Sequence, residues 1–560
     1  MPPQVAAVSW DEEVLPPRCG LAGAVTSVAL ISSFLFGYSI CVLDTCGELI
    51  PVVFEWCNSS WRYDCLASRI CQSLMNGSVY LGAALGALAA GRPELVARGA
   101  RLQLCISDVL FVLGALCCCF AQGLQCLLLG RLVSGVGLGI SAIAAPLYIG
   151  EVSPREHRGT NVAKHGLFIA VGILTAISFG LPQDPPPGNK RESMDDFDLW
   201  FFRVLLGFPV LPALLQLALF LWMVPVDEAS HLVQKGRVRE ARDLLYRTYG
   251  VQLAPTPSDH DCRAGRVAKL ELQLRELAEA WAEARATPKI HISQAICDPF
   301  LRCALLLGFA LAALQQLCGV NALLSYSNSF FREAGLPPEQ VTVASTTMAA
   351  VNVVVAVLVC QVVDHWGRRK LLLAGSFLQA LAMAVATTAV APTSEVPKRW
   401  AGPVAVACFT ACASSFTAGL GAVTWLYLSE IYPMEIRGSA LSTCGVINWL
   451  SCFFVVVVAR FLSLHGTCKL FGTISLVGFL GVYLWVVETK GCPTDDSPLT
   501  PRSAHSSSTL FTPTPQSPEA TLPPPPAAAV AAAASPDVQA VGRLVGGQPR
   551  PVVPVARARE

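Results

Sequence analysis

The sequence Glu151-Val152-Ser153-Pro154-Arg155-Glu156-His157-Arg158-Gly159 closes one long apolar run, and Glu430-Ile431-Tyr432-Pro433-Met434-Glu435-Ile436-Arg437-Gly438 closes another. Both stretches read E-x-x-P-x-x-x-R-G. The first follows the fourth apolar run of the chain and the second follows the tenth, so the motif returns six runs later. Many secondary transporters are built from such internal repeats. The repeat therefore predicts two related halves of six helices each.

The composition around this motif is that of a membrane protein. Of the 560 residues, 53% are hydrophobic and only 14% are charged, whereas about a quarter of the residues of a soluble domain are charged. Twelve apolar runs are long enough to cross a bilayer as helices. We predict an all-α membrane protein with twelve transmembrane helices in two six-helix halves.

Polar stretches divide the chain into five predicted parts. The stretch at 225–298 is rich in Arg, Glu and Ala and carries no catalytic constellation, so we predict a helical linker. The end of the chain is rich in Pro, Ser and Ala and cannot bury enough apolar surface to fold alone. The five parts are a cytoplasmic segment at 1–20, a six-helix half at 21–224, the cytoplasmic linker at 225–298, a second six-helix half at 299–491 and a disordered cytoplasmic tail at 492–560.

Basic residues concentrate in alternate short loops, which is the pattern of cytoplasmic loops. The residues are Arg92, Arg98, Arg101, Arg155, Arg158, Arg368, Arg369, Lys370 and Arg437. We therefore expect a multi-pass protein of the plasma membrane with both termini in the cytoplasm.

Acidic residues accompany these bases at the helix ends. Carboxylates and guanidiniums there can form charge-assisted pairs, which hold the inner ends of the two halves together in one state and release them in another. The predicted cytoplasmic gate consists of Glu151, Arg158, Arg131, Glu430, Arg437, Arg368 and Arg369. The alternative is that these charges only anchor the topology.

Further motifs match those of one family. Gly130-Arg131, the repeated motif and Asp364-His365-Trp366-Gly367-Arg368-Arg369 match its cytoplasmic signatures. Gln315-Gln316-Leu317-Cys318-Gly319-Val320-Asn321 resembles its QQxxGxN motif in the seventh helix, and Val487-Glu488-Thr489-Lys490-Gly491 looks like its terminal PETKG. Over about residues 21 to 491 the chain resembles a sugar porter of the major facilitator superfamily. The resemblance implies the major facilitator fold, transport of a hexose by alternating access, and no cofactor or metal.

Uncharged hydrogen-bonding side chains lie at membrane depth in the second half. Carboxamides both donate and accept hydrogen bonds, as sugar hydroxyls require, and leaving them unpaired in a low-dielectric site is costly. We predict a substrate site that includes Gln315, Gln316, Asn321 and Asn352. The resemblance adds Trp425, which matches a tenth-helix tryptophan that stacks against the sugar, and it places a helix break at Asn321. The alternatives are helix–helix contacts for the amides and an interfacial position for Trp425.

Some positions depart from the family's pattern. Gly166 stands where the fifth helix usually carries Gln, Thr417 where many members carry Glu, and Cys452 where many carry Asn. Asn448-Trp449 keeps the start of the eleventh-helix pattern. The departures concern the sugar selectivity and above all the contacts from the first half. Ala312-Ala313-Leu314 replaces the Gln-Leu-Ser that accompanies glucose preference over fructose in mammalian members, so we expect transport of glucose and also of fructose.

Two cytoplasmic motifs are reduced. The loop between helices two and three keeps Gly99 and Arg101 but loses the usual Asp-Arg. After helix six, Val226-Asp227-Glu228-Ala229-Ser230 stands where the family has PESPR.

The first external loop is rich in cysteine and carries a glycosylation sequon. At least one disulfide is expected between two of its cysteines, which are Cys46, Cys57, Cys65 and Cys71. Asn58-Ser59-Ser60 is the sequon, and Asn58 is expected to be modified if the loop passes through a glycosylating compartment. The loop and the start Phe36-Gly37-Tyr38-Ser39-Ile40-Cys41 are similar to hexose transporters of kinetoplastid parasites.

Proton coupling is not expected. Proton-driven members commonly carry Asp directly after the first-helix Phe-Gly-Tyr, and Ser39, whose hydroxyl does not titrate in the physiological range, stands there in this chain. Asp44 lies more than one helical turn further on and is predicted to be a solvated loop residue. His165 is predicted to be a surface or packing residue near the cytoplasmic end of helix five. These residues predict facilitated diffusion.

Two other functions stay open. The first is a proton-coupled polyol or myo-inositol carrier, and the second is a transporter-like sugar sensor that signals through its tail to unidentified protein partners. No nucleophile–base pair or metal cluster supports an enzyme. No basic stripe with interleaved aromatic residues supports nucleic-acid binding.

Overall fold

The fold comes from a computed structural model. It describes residues 20–47, 49–57, 65–153, 157–181, 196–223, 227–248, 260–286, 292–393 and 397–490. The predicted segment at 1–20, apart from its last residue, and the predicted tail at 492–560 lie outside the described residues, as does Asn58.

The described residues form helices and connecting turns. In chain order the first helices are α1 (Gly20–Cys46), α2 (Leu49–Val53), α3 (Leu66–Ala90), α4 (Pro93–Val96), α5 (Ala100–Cys119), α6 (Leu124–Val152), α7 (Arg158–Ser178), α8 (Asp196–Gly207) and α9 (Val210–Ala218), followed by a π-helical turn at Leu219–Met223. The connecting helices are α10 (Ala229–Gln234), α11 (Val238–Thr248), α12 (His260–Ala286) and α13 (Ile292–Cys297). The remaining helices are α14 (Pro299–Leu317), α15 (Val320–Ser325), α16 (Ser327–Glu333), α17 (Pro338–Trp366), α18 (Arg368–Ala389), α19 (Lys398–Phe416), a π-helical turn at Thr417–Gly421, α20 (Ala422–Ile431), α21 (Met434–Ala459) and α22 (Leu464–Trp485).

Within the part of the chain that the structure describes, twelve helical segments are long and apolar enough to cross a membrane. We number them as spans 1 to 12: Gly23–Cys46, Leu66–Ala90, Ala100–Cys119, Leu124–Val152, Arg158–Ser178, Trp200–Trp222, Leu301–Ser325, Pro338–Gln361, Arg368–Ala389, Arg399–Ile431, Ile436–Ala459 and Leu464–Trp485. Six spans precede the connecting helices and six follow them. This confirms the predicted all-α membrane fold of twelve transmembrane helices.

Glycines let spans 2 and 4 approach each other closely. A Cβ atom placed on Gly82 would lie 2.2 Å from the carbonyl oxygen of Leu132, and one placed on Gly135 would lie 2.2 Å from the carbonyl oxygen of Val79. Contacts this short are possible only without a side chain, which is why small residues mark such helix pairs in membranes.

Two helix pairs join the first six spans to the last six. Span 2 packs along span 11, and span 5 packs along span 8. Because each span crosses the bilayer, odd-numbered spans begin at one face and even-numbered spans at the other. We call the face where span 1 ends the Asp44 end. The opposite face, where span 4 finishes, is called the Glu151 end.

Spans 7 and 10 are not continuous α-helices. Span 7 breaks at Gly319, whose φ of +86° suits glycine, and Tyr326, directly after the span, separates α15 from α16. Span 10 contains the π-helical turn Thr417–Gly421. Such interruptions free main-chain groups and are frequent at functional sites.

The connecting helices have a small core of their own. Leu270 and Leu274 of α12 are buried against Leu232 of α10 and Leu245 of α11. Leu272, which lies between them in the chain, is exposed. The two buried leucines of α12 therefore follow the i, i+4 spacing of one helix face.

The loop after span 1 contains one disulfide. It joins Cys57 to Cys65, in agreement with the expectation of at least one bridge in this loop. Cys46 and Cys71 are free thiols. Cys46 lies in span 1, where its thiol donates to the carbonyl of Val42 at 3.2 Å.

Candidate functional site

Four carboxamide side chains form one hydrogen-bonded network between spans 7 and 11. Gln316 Nε2 donates to Asn448 Oδ1 at 3.1 Å, and Asn448 Nδ2 donates to Gln315 Oε1 at 2.7 Å. Asn321 Nδ2, just after the break at Gly319, donates to Gln316 Oε1. We call these four side chains the amide network. It brings together three of the predicted substrate residues and adds Asn448.

The amide network continues into the π-helical turn of span 10. Gln315 Nε2 donates to the carbonyl of Leu420 at 3.0 Å. Three residues earlier, Thr417 Oγ1 donates to Asn352 Oδ1 at 2.7 Å. Asn352 of span 8 therefore meets the same turn as Gln315. Thr417 stands where the family pattern often has Glu, and its hydroxyl donates to the Asn352 amide.

Two tryptophans near these elements differ in burial. Trp425 follows the π-helical turn and is 38% exposed. Trp449, one residue after Asn448, is buried. Its ring stacks on Tyr80 at 6.3 Å and meets Phe36 at 5.6 Å between centroids. The rings thus join span 11 to spans 1 and 2.

Cys452 links the amide network to the first six spans. Its thiol lies near the side chains of Asn321 and Tyr80. The Tyr80 hydroxyl also lies 3.3 Å from Ser325 Oγ. A thiol is a weaker hydrogen-bonding group than the Asn that many relatives carry at this position, and the Tyr80 hydroxyl supplies a second polar group beside it.

Span 5 contributes open space and a tethered histidine. A Cβ atom placed on Gly166 would meet no atom within 4 Å. The space that the Gln of the family pattern would fill is therefore open. His165 Nδ1 lies 2.7 Å from Ser33 Oγ, and its ring lies 6.4 Å from Phe36. Of the two predicted environments for His165, the structure shows packing against span 1.

The prediction of a solvated Asp44 is wrong. Asp44 is 5% exposed, because α16 covers the end of span 1. Its carboxylate accepts from Ser327 Oγ at 2.6 Å and from the backbone N–H of Asn328 at 3.1 Å. Asn328 Nδ2 donates in turn to the main-chain oxygen of Asp44 at 3.1 Å. Ser345 of span 8 completes the group by donating to Asn328 Oδ1 at 2.8 Å.

Sequence reasoning missed a buried carboxyl group in span 3. Asp108 is fully buried, and neither carboxyl oxygen has a hydrogen-bond partner among the described residues. An acid at membrane depth is costly when it is ionised and unpaired. The available signal was a lone acid inside the apolar run of span 3, and such residues often mark ion or proton pathways.

At the Glu151 end, the last six spans carry a compact charge cluster. Arg368 Nη2 pairs with Glu430 Oε1 at 3.1 Å. Thr489 Oγ1 donates to the other oxygen of Glu430. Arg369 donates to the main-chain oxygen of Tyr483 in span 12 and, at 2.8 Å, to that of Val486 just after the span. Arg437 donates to the carbonyl of Tyr432 at 2.9 Å. Four predicted gate residues therefore lie at the ends of spans 9, 10 and 11.

The first six spans carry a corresponding cluster at the Glu151 end. Ser230 Oγ donates to the Glu151 carboxylate. Glu228 Oε1 accepts from the backbone N–H of Arg101 at 2.8 Å, and the Arg101 guanidinium pairs with Asp227 at 2.9 Å. The reduced motif after helix six therefore keeps its contacts with spans 3 and 4.

Two of the predicted gate residues differ in position. The Arg158 charge acts on Glu151 across the loop between spans 4 and 5. Arg131 lies twenty residues before Glu151 on the same helix, about 30 Å along its axis. Its guanidinium is buried and donates to the carbonyl of Ser39 at 2.8 Å. The structure does not bring Arg131 together with the other gate residues.

Comparisons with known proteins show the family of this chain. The family model for sugar (and other) transporters matches residues 25–498. Hexose transporter 1 of Toxoplasma gondii is 31% identical over 503 residues, covering 87% of this chain and 85% of that protein. Hexose transporter 1 of Plasmodium knowlesi is 29% identical over 479 residues, covering 84% of this chain and 91% of that protein.

A solved structure shares the fold. The xylose transporter XylE from E. coli, in a partially occluded inward open conformation, superposes with a TM-score of 0.65. The two chains are 20% identical, and the match covers 84% of this chain and 99% of XylE.

Proposed function

This chain belongs to the sugar transporter family, and from that membership we propose that it is a hexose carrier that works by alternating access. Glucose is the proposed substrate, with fructose as a second one. The relatives in Toxoplasma and Plasmodium are hexose transporters by name, which supports this substrate class. The narrower similarity to kinetoplastid hexose transporters stays a prediction.

The observation that supports the proposal most directly is the amide network. Gln315, Gln316 and Asn448 hold uncharged donors and acceptors inside the membrane, beside the break in span 7. A sugar presents a ring of hydroxyls that need such partners, whereas a charged substrate would need a counter-charge. Asn352 and Trp425 are proposed to complete the site from the two sides of the π-helical turn.

The proposed orientation places the Glu151 end in the cytoplasm. The basic residues of the short loops fall at this end, and the disulfide-bonded loop falls at the other. The Asp44 end then faces the outside, and both termini are cytoplasmic. The plasma membrane is the proposed location.

Uptake by transporter-null cells that express the chain tests the substrate. We expect labelled glucose to enter well above the empty-vector rate, unlabelled fructose to compete, and myo-inositol to enter at the background rate. Uptake of myo-inositol alone would favour the polyol carrier. A chain truncated after Cys492 should keep its glucose flux. If the full chain moves no glucose and truncation abolishes a sugar-dependent signal, the sugar sensor would be favoured.

We also expect facilitated diffusion. Ser39 cannot carry a proton in the physiological range, and the carboxylate of Asp44 already accepts hydrogen bonds from Ser327 and Asn328. In proteoliposomes with an imposed pH gradient, the internal glucose concentration should rise to the external one and stop there. The measurement is the final internal-to-external ratio, with and without a protonophore.

Accumulation that a protonophore abolishes would contradict this expectation. The buried carboxyl of Asp108 is then the first group to test, because it lacks a hydrogen-bond partner in the described structure. The variant Asp108→Asn keeps the shape of the side chain but cannot exchange a proton. The same assay on His165→Gln tests the histidine of span 5 as another candidate proton carrier.

A further inference from the structure

Glu228 and Glu488 occupy equivalent positions at the Glu151 end, each beside the start of a helix. Gly99 precedes span 3 with a φ of +89°, and Gly367 precedes span 9 with a φ of +84°. A Cβ atom on Gly99 would lie 2.9 Å from Glu228 Oε2, and one on Gly367 would lie 2.7 Å from Glu488 Oε2. Each carboxylate therefore sits against a glycine at the start of a helix, where it accepts N–H groups that have no partner within the helix.

The carboxylates of Glu228 and Glu488 accept different numbers of hydrogen bonds. Glu488 accepts four backbone N–H groups, which belong to Arg368 at 2.8 Å, Arg369 at 3.1 Å, Lys490 at 3.1 Å and Thr489 at 3.2 Å. Glu228 is 2% exposed and accepts the N–H of Arg101. Its Oε2 atom is buried without a partner in the described part of the chain. Burying a carboxylate with so few donors disfavours its charged form.

The surroundings of Glu228 add negative charge. In the cluster of the last six spans, Arg368 pairs with Glu430. The corresponding residue after Gly99 is Ala100, so within the described residues no arginine at that position pairs with Glu151. Among the described residues, the titratable or charged groups around Glu228 on its own segment and on the elements packed against it are Arg101, Tyr148, Glu151, Arg158, Asp227, His231, Lys235 and Arg237.

The charges of these groups favour proton uptake by Glu228. Burial, with added repulsion from Glu151 and Asp227, raises the pKa of Glu228 from 4.5 to about 7. His231 offsets this little, because burial and the neighbouring Lys235 lower its pKa and disfavour its charged form. Burial also acts on Glu488, yet its backbone N–H donors outweigh it and hold the pKa below the ordinary value.

We propose that Glu228 is a proton-binding site that stabilises the assembled cluster at the Glu151 end when the solution on that side is acidified. Proton binding removes the repulsion between Glu228 and the carboxylates of Glu151 and Asp227. Release of residues 227–231 from spans 3 and 4 would return Glu228 to water and to an ordinary acid strength. The proton therefore binds more tightly to the assembled cluster than to the released one.

The size of the effect follows from linkage. A group that binds its proton more tightly in one state favours that state as the pH falls. With a pKa of about 7 in the assembled cluster and 4.5 in water, a change from pH 8 to pH 6 favours the assembled cluster about tenfold. Above pH 8 the effect is absent, because Glu228 is then ionised in both states.

Thermal unfolding of the purified full chain tests the proton site without sugar. The Glu228→Gln variant imitates the protonated side chain, so it should melt at the same temperature as wild type at pH 6 and at a higher temperature at pH 8. Glu488→Gln is the matched control: it should not stabilise the protein at pH 8, because wild-type Glu488 is held by four donors. A melting difference between Glu228→Gln and wild type that does not change with pH would overturn the proposal.

Uptake with a clamped cytosolic pH tests the consequence for transport, which rests on the proposed function. Acidification should hold more of the carriers in the form with the assembled cluster at the Glu151 end, so wild-type glucose uptake at constant external pH should fall up to about tenfold from cytosolic pH 8 to 6. Glu228→Gln should give the low value throughout, and Glu488→Gln should keep the pH dependence. A Glu228→Gln profile equal to wild type would refute the inference.

The two experiments separate the two proposals. If the melting signature of Glu228 is present and wild type moves no hexose, the proton site stands and the proposed function fails. If wild type moves hexose and the melting signature is missing, the function stands and the proton site fails.

Discussion

Replacing Gln316 with alanine is expected to lower glucose uptake about tenfold or more while the protein still reaches the membrane. Gln316 is the centre of the amide network, because it donates to Asn448 and accepts from Asn321. Truncation leaves both partners unsatisfied in a buried site, at a cost of about 1–3 kcal/mol for each group. It also removes one proposed contact to the sugar. A loss of 1.4 kcal/mol in binding is already about tenfold in affinity.

Two measurements separate binding from folding in this variant. The first is the KM and maximal rate of glucose uptake, normalised to the amount of protein at the cell surface. The second is the rise in melting temperature of the purified protein on addition of glucose, because a ligand stabilises the folded state only if it binds there. Both should be strongly reduced in Gln316→Ala.

Gln216→Ala is the matched control. Gln216 is a fully buried amide of span 6, and it exchanges hydrogen bonds with Ser32 at 2.8 and 3.0 Å. Its truncation carries a similar cost in stability but touches no member of the amide network. Glucose should therefore still stabilise Gln216→Ala. If Gln316→Ala transports and binds glucose like wild type, the amides serve helix–helix packing and the proposed site is wrong.

The spans were predictable because length and apolar composition determine them. A run of about twenty apolar residues can only be satisfied as a helix across the bilayer, and the repeated motif at Glu151 and Glu430 sets the number of runs in each half. The π-helical turn Thr417–Gly421 was not predictable in this way. Its sequence is Thr-Ala-Gly-Leu-Gly, and nothing in this pattern distinguishes a π-helical turn from an α-helical one.

Part of the site was predictable from local sequence. Gln315, Gln316 and Asn321 are close in the chain, so a helix and one break at Gly319 suffice to bring them together. The position of Asn352 beside this group depends on a contact between spans 8 and 10, which the Thr417 hydroxyl makes. The motif around Glu228 departs from the family sequence, yet it keeps the carboxylate that the backbone N–H of Arg101 requires as an acceptor.

Asp44 shows most clearly where the sequence was insufficient. Its position at the end of span 1 predicts exposure to water when span 1 is considered alone. The cover comes from α16, nearly three hundred residues further along the chain, and from Ser345 of span 8. Burial of this kind depends on tertiary packing between distant segments, which a single sequence without its relatives does not reveal.

This packing makes Asp44 a connection between the first six spans and the last six. Ser327 Oγ donates to its carboxylate, and the same Ser327 oxygen lies 2.9 Å from Ser345 Oγ. The backbone N–H of Asn328 lies at the start of α16, where an anion is stabilised by unpaired N–H groups. Alternating access requires that such contacts form when the Asp44 end is closed and break when it opens. Asp44 is therefore expected to hold α16 in place in the closed form.

Asp44→Ala is expected to release α16 and to shift the carrier towards the form that is open at the Asp44 end. The substitution removes the acceptor of two hydrogen bonds, and each buried donor left behind costs about 1–3 kcal/mol. Hydrogen–deuterium exchange of residues 327–336 measures the release directly, and the exchange rate there should rise about tenfold or more. Glucose uptake should fall, because a carrier that closes poorly at one end completes fewer cycles.

Thr45→Val is the matched control for this prediction. Thr45 is the next residue of span 1 and is also buried, but its hydroxyl donates to the carbonyl of Ala176 in span 5 at 2.8 Å. It therefore loses one buried hydrogen bond at the same depth without touching α16, and exchange at 327–336 should stay at the wild-type rate. Asp44→Asn should be intermediate, since an amide oxygen still accepts one of the two donors but carries no charge for the helix start. Equal exchange in Asp44→Ala and wild type would show that α16 is held by its apolar packing, and that the Asp44 carboxylate does not close this end of the carrier.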